Sequence, residues 1–339
     1  MPIKLSLSII IPCCNSATFI RRCLNSIFLQ SHHVDHEIIC IDDHSTDKTR
    51  NVIYDLIENV EYFKNYLKLY SNVSSQRGPG IARNIGIAKS TKTMLLFLDS
   101  DDLLSKNAFY HIDQYFKFQH CNADIIPFNY SITNNITLSA EVPTEKFRKD
   151  SRFFGDKEAL ISSYLEMKMD GSVIYTLFSR NFVLRNKIQF RDGLHEDIDF
   201  LFDAIFFSKN IALLDEIIYI KINRNDSIVN TFSNDHIKGY IAAWSHILMR
   251  IKTNQSSYTK LTLDLLLESY KVGIRGAIGV LMSNKRNQAD FRFKHKLIEV
   301  IQEDMELVTL LETQNISSFN SKYDMLYLDI HKLIFNESM

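Results

Sequence analysis

Leu95, Leu96, Phe97 and Leu98 run directly into Asp99, Ser100, Asp101 and Asp102. Carboxylates packed this closely repel one another unless a divalent cation sits among them. Hard oxygen ligands at a strand end suit Mg2+ or Mn2+ bridging to phosphate oxygens. The same residues also fit a solvated turn with an acidic helix start, because Asp and Ser favour such positions. A second apolar run, Ile38 to Ile41, meets Asp42, Asp43, His44, Ser45, Thr46 and Asp47. A carboxylate there can accept the imide N–H of a pyrimidine base. An N-capping turn explains Ser45 and Asp47 but gives Asp42 and Asp43 no role.

Two further groups carry charge at helix starts. Arg77, Gly78, Pro79, Gly80, Ile81, Ala82, Arg83, Asn84, Ile85 and Gly86 form a glycine-rich approach to a helix with two arginines. A helix N-terminus with Arg beside it suits a pyrophosphate. It is not a dinucleotide fingerprint, since Arg83 holds the third glycine position and the segment precedes the fourth strand; there is no Walker A sequence either. His195, Glu196, Asp197, Ile198, Asp199 and Phe200 open another helix. Neighbouring helical residues point about 100° apart, so only one of Glu196 and Asp197 faces a given substrate. Asp197 lines up with Leu201 and Ile205, the row nearer the core, and is the better base, kept ionised by the helix dipole. Ordinary acidic capping accounts for the same pair. His195, His44, His32 and His33 lack metal-ligand spacing and read as surface or capping residues.

These groups need strands and helices to hold them. Leu5–Ile11, Glu37–Ile41, Leu67–Tyr70 and Met94–Leu98 read as buried strands, with helices near Thr18–Gln30, Thr46–Asn59 (Ser45 as N-cap) and Gly80–Ala88 between them. This is a Rossmann-like, mostly parallel half, in which ligands bind at the carboxyl ends of strands. The polar residues there, Asn15 and Ser100 included, are candidate ligand contacts. Beyond it the sequence predicts a helix from Ser105, strands Asp124–Phe128 and Ile132–Leu138, and helices Lys157–Met167 and Asp197–Phe207. Apolar runs follow at Ile211–Leu214 and Ile217–Ile222. From Asp235 helical periodicity dominates, which places a boundary between 1–232, split as 1–102 and 103–232, and a helical 233–339.

The chain of 339 residues has 39 basic and 40 acidic side chains, so no global field marks a nucleic-acid binder. Its five cysteines show neither CxxC spacing nor a partnering His array, which argues against disulfides and structural zinc and for a reducing cytoplasm. Met1–Ser8 lacks the pattern of a secretion signal. Lys285, Arg286, Arg292, Lys294 and Lys296 suit either an anionic lipid surface or a solvated helix face.

Taken together, Ser8–Asn15 (SIIIPCCN), Asp42–Asp47 (DDHSTD), Gly80–Gly86 (GIARNIG), Asp99–Asp102 (DSDD), His195–Asp197 (HED) and Tyr219–Ile228 (YIKINRNDSI) resemble the inverting glycosyltransferase family two. The order and spacing match over about the first 230 residues. His44 stands where the family usually has Gly, and Pro79 is a second departure. The resemblance implies a GT-A fold, a UDP-sugar donor, a lipid-linked glycan acceptor of bacterial surface polysaccharide, and work at the inner face of the cytoplasmic membrane. It implies that Pro12 and Asp43, with Asp42, border the base. Asp99 would face the ribose or metal, Asp101 would ligate the metal, and Asp197 would deprotonate the acceptor hydroxyl. Two other readings compete. A sugar-nucleotide nucleotidyltransferase would want glycine and lysine in the loop that here reads Cys13, Cys14, Asn15, Ser16. A nucleotide-sugar or glycan-binding module would keep the fold without turnover.

Overall fold

The computed structural model describes residues 4–119, 122–134, 157–169, 172–223, 234–283, 292–312, 330–332 and 334–335. The first half alternates as the sequence predicts: β1 (Leu7–Cys13), α1 (Ile20–Phe28), β2 (His36–Asp42), α2 (Thr49–Asn59), α3 (Glu61–Tyr66), β3 (Leu67–Ser71), α4 (Pro79–Lys89) and β4 (Met94–Phe97). The next elements are β5 (Leu103–Leu104), α5 (Ala108–Gln119), β6 (Ile125–Thr133), α6 (Lys157–Leu165), β7 (Thr176–Ser179), α7 (Arg180–Arg185), α8 (Glu196–Phe207) and β8 (Leu214–Ile222). The helices α9 (Asn234–Thr253), α10 (Lys260–Ser283), α11 (Phe293–Gln302) and α12 (Met305–Glu312) follow.

The strands form one mixed sheet in the order β3-β2-β1-β4-β7-β6-β8-β5. β3, β2, β1 and β4 are mutually parallel, so the carboxyl ends of β1, β2 and β4 share one edge. Ile9, Ile10, Ile38, Ile39, Leu95 and Leu96 are fully buried on both faces, as a sheet covered by helices requires. β7 runs antiparallel to both β4 and β6, and β8 is parallel to β6 with two register shifts, at Phe128/Asn129 and Asn129/Tyr130. Gly86 brings α4 down onto β1, where a Cβ would overlap Ile10 Cγ2.

Several expectations are corrected. Ser45 is not an N-cap: α2 starts at Thr49, whose N–H and hydroxyl both donate to Asp47 Oδ1, and Ser45 accepts from the Asn15 N–H instead. α5 starts at Ala108 because Ser105 is drawn to β8, donating to the Ile217 carbonyl at 2.6 Å. The two runs Asp124–Phe128 and Ile132–Leu138 begin one continuous strand, β6, with residues 135–138 outside the described part. The strand β7, short and without alternation, is absent from the sequence expectation.

The chain divides into two compact units interleaved in sequence. The first comprises Met1–Gly155, Ser172–Gly193 and Ala204–Asn225, and holds the sheet. The second comprises Asp156–Gly171, Leu194–Asp203 and Asp226–Met339, so residues 156–171 and 194–203 cluster with the C-terminal helices. Within it α10 packs against α6 at Gly273, where a Cβ would overlap the Leu165 carbonyl, and Tyr270 donates to the Trp244 carbonyl at 3.0 Å. Among the described residues, no helix is long and apolar enough to cross a membrane.

Candidate active site

The acidic turn closes directly on the end of β4. The Asp102 N–H returns to the Asp99 carbonyl at 3.1 Å, and the carboxylate oxygens of Asp99, Asp101 and Asp102 come within 4.8 Å of one another. Asp102 is buried and acts as the floor. Its Oδ2 accepts the Tyr219 hydroxyl at 2.6 Å and its Oδ1 accepts the Ile222 N–H at 2.7 Å. Burial first, then the charges of Asp101 and Asp99, push Asp102 up to about 8. Crowding of this kind is relieved by a cation, and the donor set is entirely hard oxygen, so the residues present fit Mg2+ or Mn2+. Ser100 is buried and shares a 2.7 Å hydrogen bond with Ser16, which joins the turn to the loop after β1.

Asp99 and Arg83 meet above this floor. Asp99 is about one-third exposed and its Oδ1 accepts Arg83 Nη2 at 2.8 Å. Arg83 is buried, and its guanidinium carbon stands 5.5 Å from the centre of the Phe190 ring. The neighbouring Asn84 holds the Phe190 backbone at both ends, donating to its carbonyl at 2.7 Å and accepting its N–H at 3.0 Å. Pro79 sits at the first turn of α4, where its missing N–H costs no hydrogen bond. Arg77 lies ahead of that helix on an exposed loop, apart from the buried Arg83.

At the end of β2 the two acidic residues divide their work. Asp43 is buried and braces the next loop: Oδ1 accepts Asn72 Nδ2 and Oδ2 accepts the Gly78 N–H, each at 2.7 Å. Its own N–H donates to the Cys13 carbonyl at 2.7 Å. Asp42 is also buried; Arg50 lies 3.7 Å from its Oδ2, while its Oδ1 has no hydrogen-bond partner. A buried, unsatisfied carboxylate oxygen is costly and marks a place where a ligand donor fits. His44 keeps a left-handed backbone at φ 57° despite its side chain, and its ring bonds the Ser74 carbonyl at 3.0 Å. That bond offsets strain of about 1–2 kcal/mol.

Asn15 is a brace too. At φ 48°, it accepts the Thr46 N–H at 2.8 Å and the Asp47 N–H at 3.3 Å through Oδ1, tying the loops after β1 and β2 together. Pro12 is half-buried within β1 and pairs with Ile41 of β2.

Glu196 and Asp197 start α8 in the second unit. Glu196 is the more buried of the two, and Asp197 is half-exposed. Leu201 and Ile205, the residues in line with Asp197, are buried, but so are Phe200 and Asp203 in line with Glu196, so burial does not single out the Asp197 row as the core-facing one. Half-exposure suits a base that must reach an acceptor better than a core position does.

The residues that sequence reasoning missed are the supports. Tyr219, Ser16, Asn72 and Asn84 carry no chemical signature of their own, and Tyr219 lies 117 residues from Asp102. Behind Tyr219, Tyr175 meets it edge-on at 5.4 Å and stacks on Tyr130 at 3.6 Å.

Known proteins share both sequence and fold with this chain. It is 30% identical over 231 residues to the poly(ribitol-phosphate) beta-N-acetylglucosaminyltransferase TarP of Staphylococcus aureus (strain N315), covering 65% of this chain and 64% of that protein. It is 24% identical over 318 residues to a poly(ribitol-phosphate) beta-glucosyltransferase of Bacillus spizizenii, covering 90% of this chain and 47% of that one. The chain thus spans less than two-thirds of the length of these relatives. In fold it is similar to S. aureus TarS 1-349 in complex with UDP-GlcNAc, with a TM-score of 0.66 and 19% identity over 98% of this chain and 92% of that one. The fold is GT-A, as the sequence resemblance implies. Residues 8–188, more than half of the chain, match the profile described as Glycosyl transferase family 2, and the chain belongs to that family.

Proposed function

We propose that this chain moves a sugar from a UDP-sugar donor to a hydroxyl of a bacterial surface glycan, with inversion and with a divalent metal. The observation that carries the reading is the acidic turn at the end of β4, with three carboxylates in mutual reach and Arg83 fixed on Asp99. Asp99 and Asp101, with Asp102 beneath them, would hold Mg2+ or Mn2+, which when bound neutralises charge on the diphosphate. Arg83 adds a fixed positive charge beside it, preorganised by Phe190 and Asp99. Arg77, on its exposed loop, supplies a second cation to the leaving group. Asp42 and Asp43, walled by Pro12, border the base, and the unpartnered Oδ1 of Asp42 accepts its imide N–H. Asn15 and Ser100 shape the donor site by holding its loops. Asp197 removes the proton of the acceptor hydroxyl, with Glu196 buried beside it. One base and one clamp on the leaving group suffice for inversion without a covalent intermediate.

The acceptor is best read as a polyol-phosphate or related surface polymer, or its lipid-linked precursor, with peripheral contact at the inner face of the cytoplasmic membrane. TarP and the Bacillus enzyme, both poly(ribitol-phosphate) glycosyltransferases, support that class. Calorimetric titration with UDP, with and without Mn2+, tests the centre of the proposal. Metal-dependent binding that Asp101→Ala abolishes supports it, together with UDP release from a UDP-sugar. Failure of UDP and every UDP-sugar to bind would remove the donor assignment, and binding without turnover would favour the binding-module reading.

A further inference from the structure

His236, Gly239 and Tyr240 occupy one face of α9 at positions i, i+3 and i+4, and all three meet the turn that launches α8. His236 is buried, and its Nδ1 lies 3.0 Å from Nε2 of His195. The Tyr240 ring meets the His195 ring edge-on at 4.8 Å. Gly239 lies so close to the turn that a Cβ there would overlap the Leu194 carbonyl. His195 itself is left-handed at φ 57°, a conformation that a residue with a side chain keeps only where its surroundings dictate it. The next two residues are Glu196 and Asp197. His195 holds the capping position that the sequence reading allowed, its carbonyl accepting the Ile198 N–H at 3.3 Å, and is at the same time one half of a packed, hydrogen-bonded pair.

We propose that His236 and Tyr240 are positioning residues, acting through His195 to fix the first turn of α8 and so the direction of the Asp197 carboxylate; the proposal rests on the reading of Asp197 as the base. A shared hydrogen bond between two imidazoles requires one nitrogen to donate and the other to accept, so the rings lock each other's tautomer and orientation. The Tyr240 hydroxyl is pushed up to about 12, first by burial and then by the Asp197 charge, which puts that carboxylate within electrostatic reach. A misplacement of about 1 Å in a reacting group can cost roughly 100-fold in rate, so a bed of this kind has kinetic weight without touching substrate.

The test compares the full chain with its His236→Leu, His236→Asn and Asp197→Asn forms. It measures UDP affinity with Mn2+, thermal melting, and UDP release from UDP-GlcNAc or UDP-glucose with poly(ribitol phosphate) as acceptor. His236→Leu should lower kcat by roughly 10- to 100-fold while UDP affinity and donor KM stay within about twofold. His236→Asn, whose amide reaches the position of Nδ1, should restore most of that loss. Turnover of His236→Leu within twofold of the unmodified chain overturns the proposal. So does a loss of turnover that the Asn form shares and that tracks a fall in melting temperature. If Asp197→Asn keeps its turnover, the reading of Asp197 as base fails instead, whatever His236 does. If UDP binds and neither donor is turned over by the unmodified chain, both fail.

Discussion

The buried hydroxyl of Tyr219 donates to Asp102 Oδ2 at 2.6 Å and accepts the Asp99 N–H at 3.2 Å, so one phenol ties both ends of the acidic turn. Tyr219→Phe keeps the packing against Tyr175 and removes both bonds. It should destabilise the fold by about 1–3 kcal/mol, the cost of stranding a buried acceptor. Metal-dependent UDP affinity should weaken with it, because the turn loses its brace. Urea denaturation and calorimetry read the two effects; unchanged UDP affinity would show that the turn holds its shape without Tyr219.

Arg83 makes two contacts that a lysine cannot reproduce, a directed bond to Asp99 and a flat guanidinium beside Phe190. Arg83→Lys should therefore lower kcat/KM about tenfold or more despite keeping the charge. Arg83→Ala should lower it by roughly 100-fold. Equal activity of the Lys form and the native chain would mean that a point charge is all the site requires.

Glu37 offers a pH test far from chemistry. Burial alone would raise its pKa, but the Thr91 N–H, the Ser8 and Thr91 hydroxyls and Lys68 together hold it below its usual 4.5. A depressed folded pKa means that the unfolded chain takes up the proton first as pH falls. The stabilisation is thus complete well above 4.5 and is lost as pH drops through the lower, folded value. Glu37→Gln should cost about 1.5–3 kcal/mol at neutral pH. Denaturation curves should show the gap between the two chains closing below 4.5; a gap independent of pH would remove the ionised carboxylate from the account.

Gly86→Ala should destabilise by about 1–3 kcal/mol, since its Cβ would press on Ile10 in a fully packed core. Combined with Ile10→Ala, the two losses should be less than additive, because the smaller side chain makes room for the new methyl. Additive losses would place the strain elsewhere in α4.

The parallel half was legible because β1, β2 and β4 each carry an apolar run of Ile, Leu, Met or Phe that ends in polar residues, a local pattern. The candidate ligand residues Asp99, Asp101, Asp42 and Asp43 were legible for the same reason, since each stands at such an ending. What escaped was set by partners distant in sequence. β7 is four residues long and exists because β4 and β6 flank it on both sides. Ser45 lost its capping role because Asp47 bonds Thr49 first. The rotation of α8 could not be read from apolar spacing, because apolar residues surround the helix on every side.

Asp43, Asn15 and the Ser16–Ser100 pair stitch the segments after β1, β2, β3 and β4 to one another with the protein's own hydrogen bonds. On the proposed reading, a donor nucleotide arriving at this edge would find little chain left to order, so little of its contact energy would be spent on immobilising loops. The same stitching makes the four segments mechanically one body. A substitution in any of them would change the shape presented to base, ribose and diphosphate together, so on the proposed reading selectivity for the nucleotide would be a collective property of this edge and not of any single pocket residue.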